Sequence, residues 1–96
     1  MVFGQPRMLN KSEIDELIKS SIMEVLENSE QFDLNSYFIG AESIIESIDI
    51  VQIIAFVEDK LEEQGFEGID FLEKTFENNN LKFTDFSDLI EKEINS

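Results

Sequence analysis

Two serines in residues 40–51, GAESIIESIDIV, are the side chains with the clearest chemical potential in this chain. Ser43 and Ser47 each stand between a glutamate and an isoleucine, in a Glu-Ser-Ile tripeptide that occurs twice, four residues apart. The chain has no cysteine and no histidine, which excludes Ser-His-Asp and Cys-His mechanisms as well as thiolate and imidazole metal ligands. Such a serine is either a surface residue without a chemical role or the place where a group is attached. Because the chain has no cysteine, any reactive thiol has to arrive on a cofactor.

The charge of the chain limits its partners. Seven basic residues face twenty-two acidic ones, which gives a formal net charge of −15 at pH 7. Nucleic acids and anionic membrane surfaces repel such a chain, whereas basic protein surfaces attract it. The longest unbroken apolar run, Ile53 to Val57, is far too short to span a bilayer, and residues 1–10 lack an apolar segment of signal-peptide length. We therefore expect a cytoplasmic monomer that binds no nucleic acid and does not insert into membranes.

The spacing of apolar residues predicts an all-α fold, a small bundle of three longer helices and one short helix. One domain is expected over residues 11–96, after a flexible tail of residues 1–10. The first helix begins near Ser12, which with Asp15 resembles a capping pair. A long loop, residues 29–46, follows this helix, and its large apolar side chains indicate that it packs on the domain.

The second helix is predicted over residues 47–64, ending at Gly65 in a left-handed cap. Residues 66–83 contain one short helix or turn, and the last helix starts at Thr84 as its N-cap. The core stripe of the second helix has helical spacing and consists of Ile50, Ile53, Ile54, Val57 and Leu61. Five phenylalanines are expected to be structural, namely Phe38, Phe71, Phe76, Phe83 and Phe86.

The order of residues from Ser47 to Leu61, SIDIVQIIAFVEDKL, resembles the acyl carrier protein family. In that family Asp-Ser-Leu opens the second helix, and the serine is followed by an acid, a valine, further aliphatic residues and a pair of acids. The corresponding residues here are Asp49, Val51, Ile53, Ile54, Glu58 and Asp59. The resemblance covers residues 11–95 in the order of the helices. It implies a serine that carries 4′-phosphopantetheine, transferred from coenzyme A by a phosphopantetheinyl transferase, on which acyl groups are held as thioesters.

The choice between the two serines depends on the direction of comparison. Upstream, Ile39 to Ile44 (IGAESI) resembles the family's Leu-Gly-Ala-Asp-Ser-Leu, which favours Ser43, but downstream of Ser43 the acids fall out of register. When positions are counted from Ser47, the acid, the valine, the aliphatic residues and the pair of acids all fall at the positions of the family pattern. Some carrier-like proteins also show Gly-x-x-Ser-x-Leu-Asp-Ser, which Gly40 to Ser47 resembles. The resemblance therefore predicts Ser47 as the attachment site, with Ser43 as a serine that hydrogen-bonds locally.

The resemblance also implies a partner surface on the second helix, acidic with an apolar strip between the acids. Its residues are Glu46, Ile48, Asp49, Val51, Ala55, Glu58 and Asp59. Acyl-loading and acyl-transfer enzymes with basic docking surfaces are the expected partners. Three departures from the family pattern are Glu46 for aspartate, Gln52 for an acid and Phe56 for a small residue, the last expected to fill the core. They favour a specialised fatty acid, polyketide or related pathway over a housekeeping fatty-acid carrier.

The predicted function is thus a stand-alone carrier without catalytic activity of its own, and two alternatives are kept open. An acidic helical interaction module without cofactor, including a mimic of DNA, would bind basic proteins by charge but does not need a serine in register. An enzyme built on carboxylates has less support, because no spacing of acids indicates a catalytic pair. No segment has the spacing of an EF-hand loop, so we expect no metal site.

Overall fold

A computed structural model describes residues 9–95, which form four α-helices and a two-stranded sheet. The helices are α1 (Lys11–Val25), α2 (Ser47–Glu63), α3 (Phe71–Phe76) and α4 (Phe83–Ile94). The strands are β1 (Tyr37–Ile39) and β2 (Leu81–Lys82), and a 3₁₀ turn (Ser29–Gln31) lies between α1 and β1. The mostly helical class and the order of three longer helices and one short helix are confirmed. The all-α prediction is wrong in one respect, because part of the long loop pairs as a strand.

Helix α1 begins with a capping box that the sequence interpretation placed two residues too late. The Asn10 side chain accepts the N–H of Glu13 at 2.8 Å, and the Glu13 carboxylate accepts the N–H of Asn10 at 3.0 Å. Ser12 therefore already lies in the first turn. Leu9, which the sequence interpretation assigned to the tail, is buried in the hydrophobic core. Residues 1–8 of the predicted tail lie outside the described residues.

The hydrophobic core is centred on α1, which packs against both α2 and α4, while α3 packs against α2. All five predicted core residues of α2 are buried, as are Phe38, Phe71, Phe83 and Phe86. Phe76, in contrast, is 47% exposed, which corrects its predicted core position. The reason is geometric: α3 is only six residues long and buries the face that carries Phe71 and Thr75. Phe76 follows Thr75 by one residue and so lies about 100° around the helix.

The sheet connects the long loop to the last helix. Tyr37 of β1 pairs with Lys82 of β2, and Ile39 pairs with Leu81, in an antiparallel ladder with a shift in register. Between these two residues of β1, the buried Phe38 ring stacks on Phe83 with ring centroids 4.7 Å apart. The predicted packing of the loop on the domain is therefore confirmed, and the aromatic contact fixes the strand close to the start of α4.

Helix α4 begins at Phe83, one residue before Thr84, which was predicted to be its N-cap. The carbonyl groups of Ser36 and Leu34 in the long loop accept the N–H groups of Phe83 and Thr84, at 3.1 and 2.9 Å. Asp85 accepts the N–H of Lys82 at 3.0 Å. Backbone groups of the loop thus serve the first donors of α4. Thr84 is the second residue of the helix, so the prediction of Thr84 as the N-cap is wrong.

The end of α2 is as predicted. Gly65 has a φ of +98°, its N–H donates to the carbonyl of Glu62, and the N–H of Phe66 donates to the carbonyl of Leu61 at 2.9 Å. This pair of bonds is a Schellman motif, which needs a left-handed residue at Gly65.

Candidate functional site

Ser47 is the first residue of α2, and Glu46 precedes it as the N-cap. The Glu46 carbonyl accepts the N–H groups of Asp49 and Ile50, both at 3.0 Å. The Glu46 side chain makes no capping bond to the described residues. The N–H groups of Ser47 and Ile48 have no hydrogen-bond acceptor within residues 9–95. The positive end of the helix dipole and two unpaired donors therefore lie at Ser47.

The two serines differ in what their hydroxyl groups do. The Ser43 hydroxyl donates to the carbonyl of Phe38 at 2.9 Å and accepts the N–H of Ile45 at 3.2 Å. Ser43 is half-buried, and the predicted local hydrogen bonding is confirmed. Ser47 is exposed, and its hydroxyl has no hydrogen-bond partner within residues 9–95. Of the two, only the Ser47 hydroxyl is uncommitted and accessible to another molecule.

The loop ahead of Ser47 is held at both ends. Gly40 follows β1 with a φ of +120°, and its carbonyl accepts the N–H of Ser43 at 3.0 Å, which closes a turn. Close to Ser47, the Ile45 side chain is buried in the core. Ile44, between these anchored residues, is 75% exposed. The loop thus has a defined conformation that fixes where α2 begins.

The predicted apolar strip lies on the outside of α2. Ile48 and Val51 are 65% and 42% exposed, and Ala55 is exposed as well. Their spacing of three and four residues puts them on one face of the helix. Glu46 and Asp59 are exposed and Asp49 is half-buried, so acids stand at both ends of the strip. The structure therefore brings together the strip and these three acids of the predicted partner surface.

Glu58, the remaining predicted surface acid, has a structural contact. Its carboxylate accepts the N–H of Phe71 at 2.9 Å and so serves the first turn of α3. Phe56 is half-buried at the edge of the same helix, with the Lys60 ammonium 5.5 Å from its ring centroid. It lies outside the hydrophobic core, which corrects the expectation that it fills it. Ile53 and Val57 already occupy the inward face of that turn.

A cleft beside the start of α2 could not be read from the sequence. It is lined by Ile44, Glu46 and Asp49 on one side and by Leu26, Glu27 and Phe32 on the other. Its two walls are about twenty residues apart in the chain, so only the packing of the long loop on the end of α1 creates it.

The helices within residues 9–95 are all too short or too polar to cross a bilayer. In the same part of the chain, no three acidic side chains are arranged to hold a metal ion. Compared with known proteins, the chain matches no family model, no curated protein and no solved structure. The chemistry available at the site is that of an exposed hydroxyl at a helix start, which can accept a group but is hydrogen-bonded to no base within residues 9–95.

Proposed function

We propose that this protein is an acyl carrier protein, with a 4′-phosphopantetheine arm on Ser47 that holds acyl intermediates as thioesters. The observation that supports this most directly is the contrast between the serines. The Ser47 hydroxyl is exposed at the start of α2 and makes no hydrogen bond to residues 9–95, whereas the Ser43 hydroxyl bonds within its own loop. The motif from Ser47 to Leu61, which resembles that of the carrier family, points to the same serine.

The residues around Ser47 fit a phosphodiester. The unpaired N–H groups of Ser47 and Ile48 and the positive end of the helix dipole favour an anion at this place. The Glu46 carboxylate opposes the anion, but it is exposed, and repulsion between exposed charges is screened by solvent and salt. Because the chain has no cysteine, the reactive thiol is the chemistry that the prosthetic group supplies when bound.

Loading is a group transfer in which Ser47 is the acceptor. Its Oγ forms a bond to the phosphorus that adjoins the pantetheine of coenzyme A, and the pyrophosphate P–O bond breaks. Adenosine 3′,5′-bisphosphate leaves, and the hydroxyl proton passes to a base. That base belongs to the transferase, because the chain has no histidine and no hydrogen-bonding base contacts Ser47 within residues 9–95.

Partner enzymes bind the outer face of α2. Ile48, Val51 and Ala55 provide an apolar contact, and the acids beside them attract a basic rim. Glu58 contributes less to this surface, because its carboxylate is bonded to the start of α3. The departures from the family pattern, Gln52 among them, are consistent with a specialised fatty acid, polyketide or related pathway.

Intact-mass measurement after incubation with coenzyme A and a broad-range phosphopantetheinyl transferase tests the proposal. We expect the wild type and Ser43→Ala to gain the mass of one phosphopantetheine group at full conversion, and Ser47→Ala to gain none. A wild type that stays unmodified would contradict the carrier function. The acidic interaction module without cofactor would then be the better account of the surface of α2.

A further inference from the structure

The loop ahead of Ser47 holds one large apolar side chain in solvent. Ile44 is 75% exposed, more than either Ile48 or Val51 on α2. The residues on both sides of it are fixed, because the Ser43 hydroxyl bonds to Phe38 and to the N–H of Ile45, and the Ile45 side chain is buried. The exposure of Ile44 is therefore imposed by the fold and does not come from a loose loop.

We propose that Ile44 is a docking contact for the enzyme that modifies Ser47, and that Ser43 is the positioning residue that holds Ile44 outward. The inference rests on the proposed function, since it names a further contact at the same site. Ile44 lies three residues before Ser47, which limits their separation to about 11 Å of extended chain. An enzyme that encloses the Ser47 hydroxyl is within reach of Ile44 on the loop side and of Ile48 on the helix side.

The charges around Ile44 specify the kind of surface that it meets. Glu42 and Glu46, two residues away on either side, are both exposed, and the whole chain carries a formal charge of −15. The complementary surface is a protein with a small apolar pocket inside a basic rim. Membranes and nucleic acids offer no such pocket and are repelled by the same charges.

The size of the effect follows from the burial of one side chain. Complete burial of an isoleucine corresponds to roughly a tenfold to hundredfold change in affinity. Ile44→Ser should therefore raise the KM for this protein as a substrate of the transferase about tenfold or more, with kcat unchanged. Ser43→Ala should raise KM in the same direction, and Ser43→Thr, which keeps the hydroxyl, should restore it.

The chain offers a matched control in Met23, which is 72% exposed but lies on α1. Met23→Ser removes an equally exposed apolar group from a different helix and should leave KM at the wild-type value. Calorimetric titration of the transferase into Ser47→Ala, with and without Ile44→Ser, gives the same comparison without any reaction, and the double variant should bind at least tenfold more weakly.

The outcomes separate this inference from the proposed function. If the wild type is modified but Ile44→Ser and Met23→Ser have equal KM values, the docking role of Ile44 is overturned and the carrier function stands. If Ile44→Ser raises KM and Ser43→Ala does not, the positioning role of Ser43 is overturned. A wild type that accepts no phosphopantetheine overturns the proposed function, and this inference with it.

Discussion

Gly40 joins the sheet to the loop that precedes Ser47, and its replacement by alanine is the most demanding test of that loop. Gly40 has a φ of +120°, which side chains of L-residues rarely adopt. An added Cβ would lie 2.3 Å from Oδ1 of Asn80 and 2.9 Å from the carbonyl oxygen of Asn79. The first contact can be relieved by rotation of a side chain, but the second involves backbone.

The expected loss of stability has two parts. Backbone strain at a residue with such a φ costs about 1–3 kcal/mol, and inserting a methyl group where there is no room costs about 1–3 kcal/mol. We therefore expect Gly40→Ala to lower the free energy of unfolding by about 4 kcal/mol, the sum of the two midpoints, which corresponds to a Tm decrease of roughly 16–32 °C for a domain of this size. Urea denaturation followed by far-UV circular dichroism measures this loss directly.

Gly68 provides the control for the backbone part. It has a φ of +78°, but apart from Gly68 and its two chain neighbours no heavy atom of residues 9–95 lies within 4 Å of an added Cβ. Gly68→Ala should therefore show only the strain. Replacing Asn80 by alanine as well should recover part of the Gly40→Ala loss, because the Asn79 carbonyl remains in place. If Gly40→Ala loses no more stability than Gly68→Ala, the close approach of Gly40 to Asn79 and Asn80 is refuted.

Three further outcomes are expected. Glu58→Ala removes the acceptor of the Phe71 N–H and should cost about 1 kcal/mol of stability, with faster hydrogen exchange in α3. Asp59→Ala, at an exposed neighbour, should stay near the wild-type stability, and equal losses in the two variants would argue against the capping contact. Ser87→Ala removes a buried hydroxyl that donates to the Asp15 carboxylate at 2.6 Å. Urea titration should show that the free energy of unfolding falls by about 1–2 kcal/mol. An unchanged midpoint would count against this link between α1 and α4. Added salt should raise the Tm, since it screens repulsion among acids in a chain of charge −15, and a Tm indifferent to salt would remove that explanation.

The inward faces of the helices could be predicted because their periodicity is local. The start of α2 at Ser47 could be predicted as well, but the start of α1 could not, because two possible capping pairs lie there. Asn10 with Glu13 prevails over Ser12 with Asp15. Leu9 and Ile14 explain this choice, because both are buried and occupy the positions of a hydrophobic staple around the Asn10 cap. Burial of Leu9 depends on the packed core, which no local pattern reveals.

The strand pair was missed for a related reason. Tyr37–Ile39 is rich in β-forming residues, but its partner is the two-residue strand Leu81–Lys82, more than forty residues later in the chain. Such a short partner has no strand signal of its own, and pairing needs the aromatic contact between Phe38 and Phe83. At the site, the attachment of a group to Ser47 stays a prediction, whereas the local hydrogen bonding of Ser43 was predictable from the sequence. The exposure of Ile44 was not, because it depends on where the long loop packs.

The location of the modified residue decides whether this protein is a carrier loaded on Ser47. Wild-type protein is incubated with coenzyme A and the transferase, digested, and sequenced by tandem mass spectrometry. We expect one phosphopantetheine group, on Ser47, with Ser43 unmodified. Modification of Ser43, or a fully unmodified protein under conditions in which a control carrier is loaded, would contradict it.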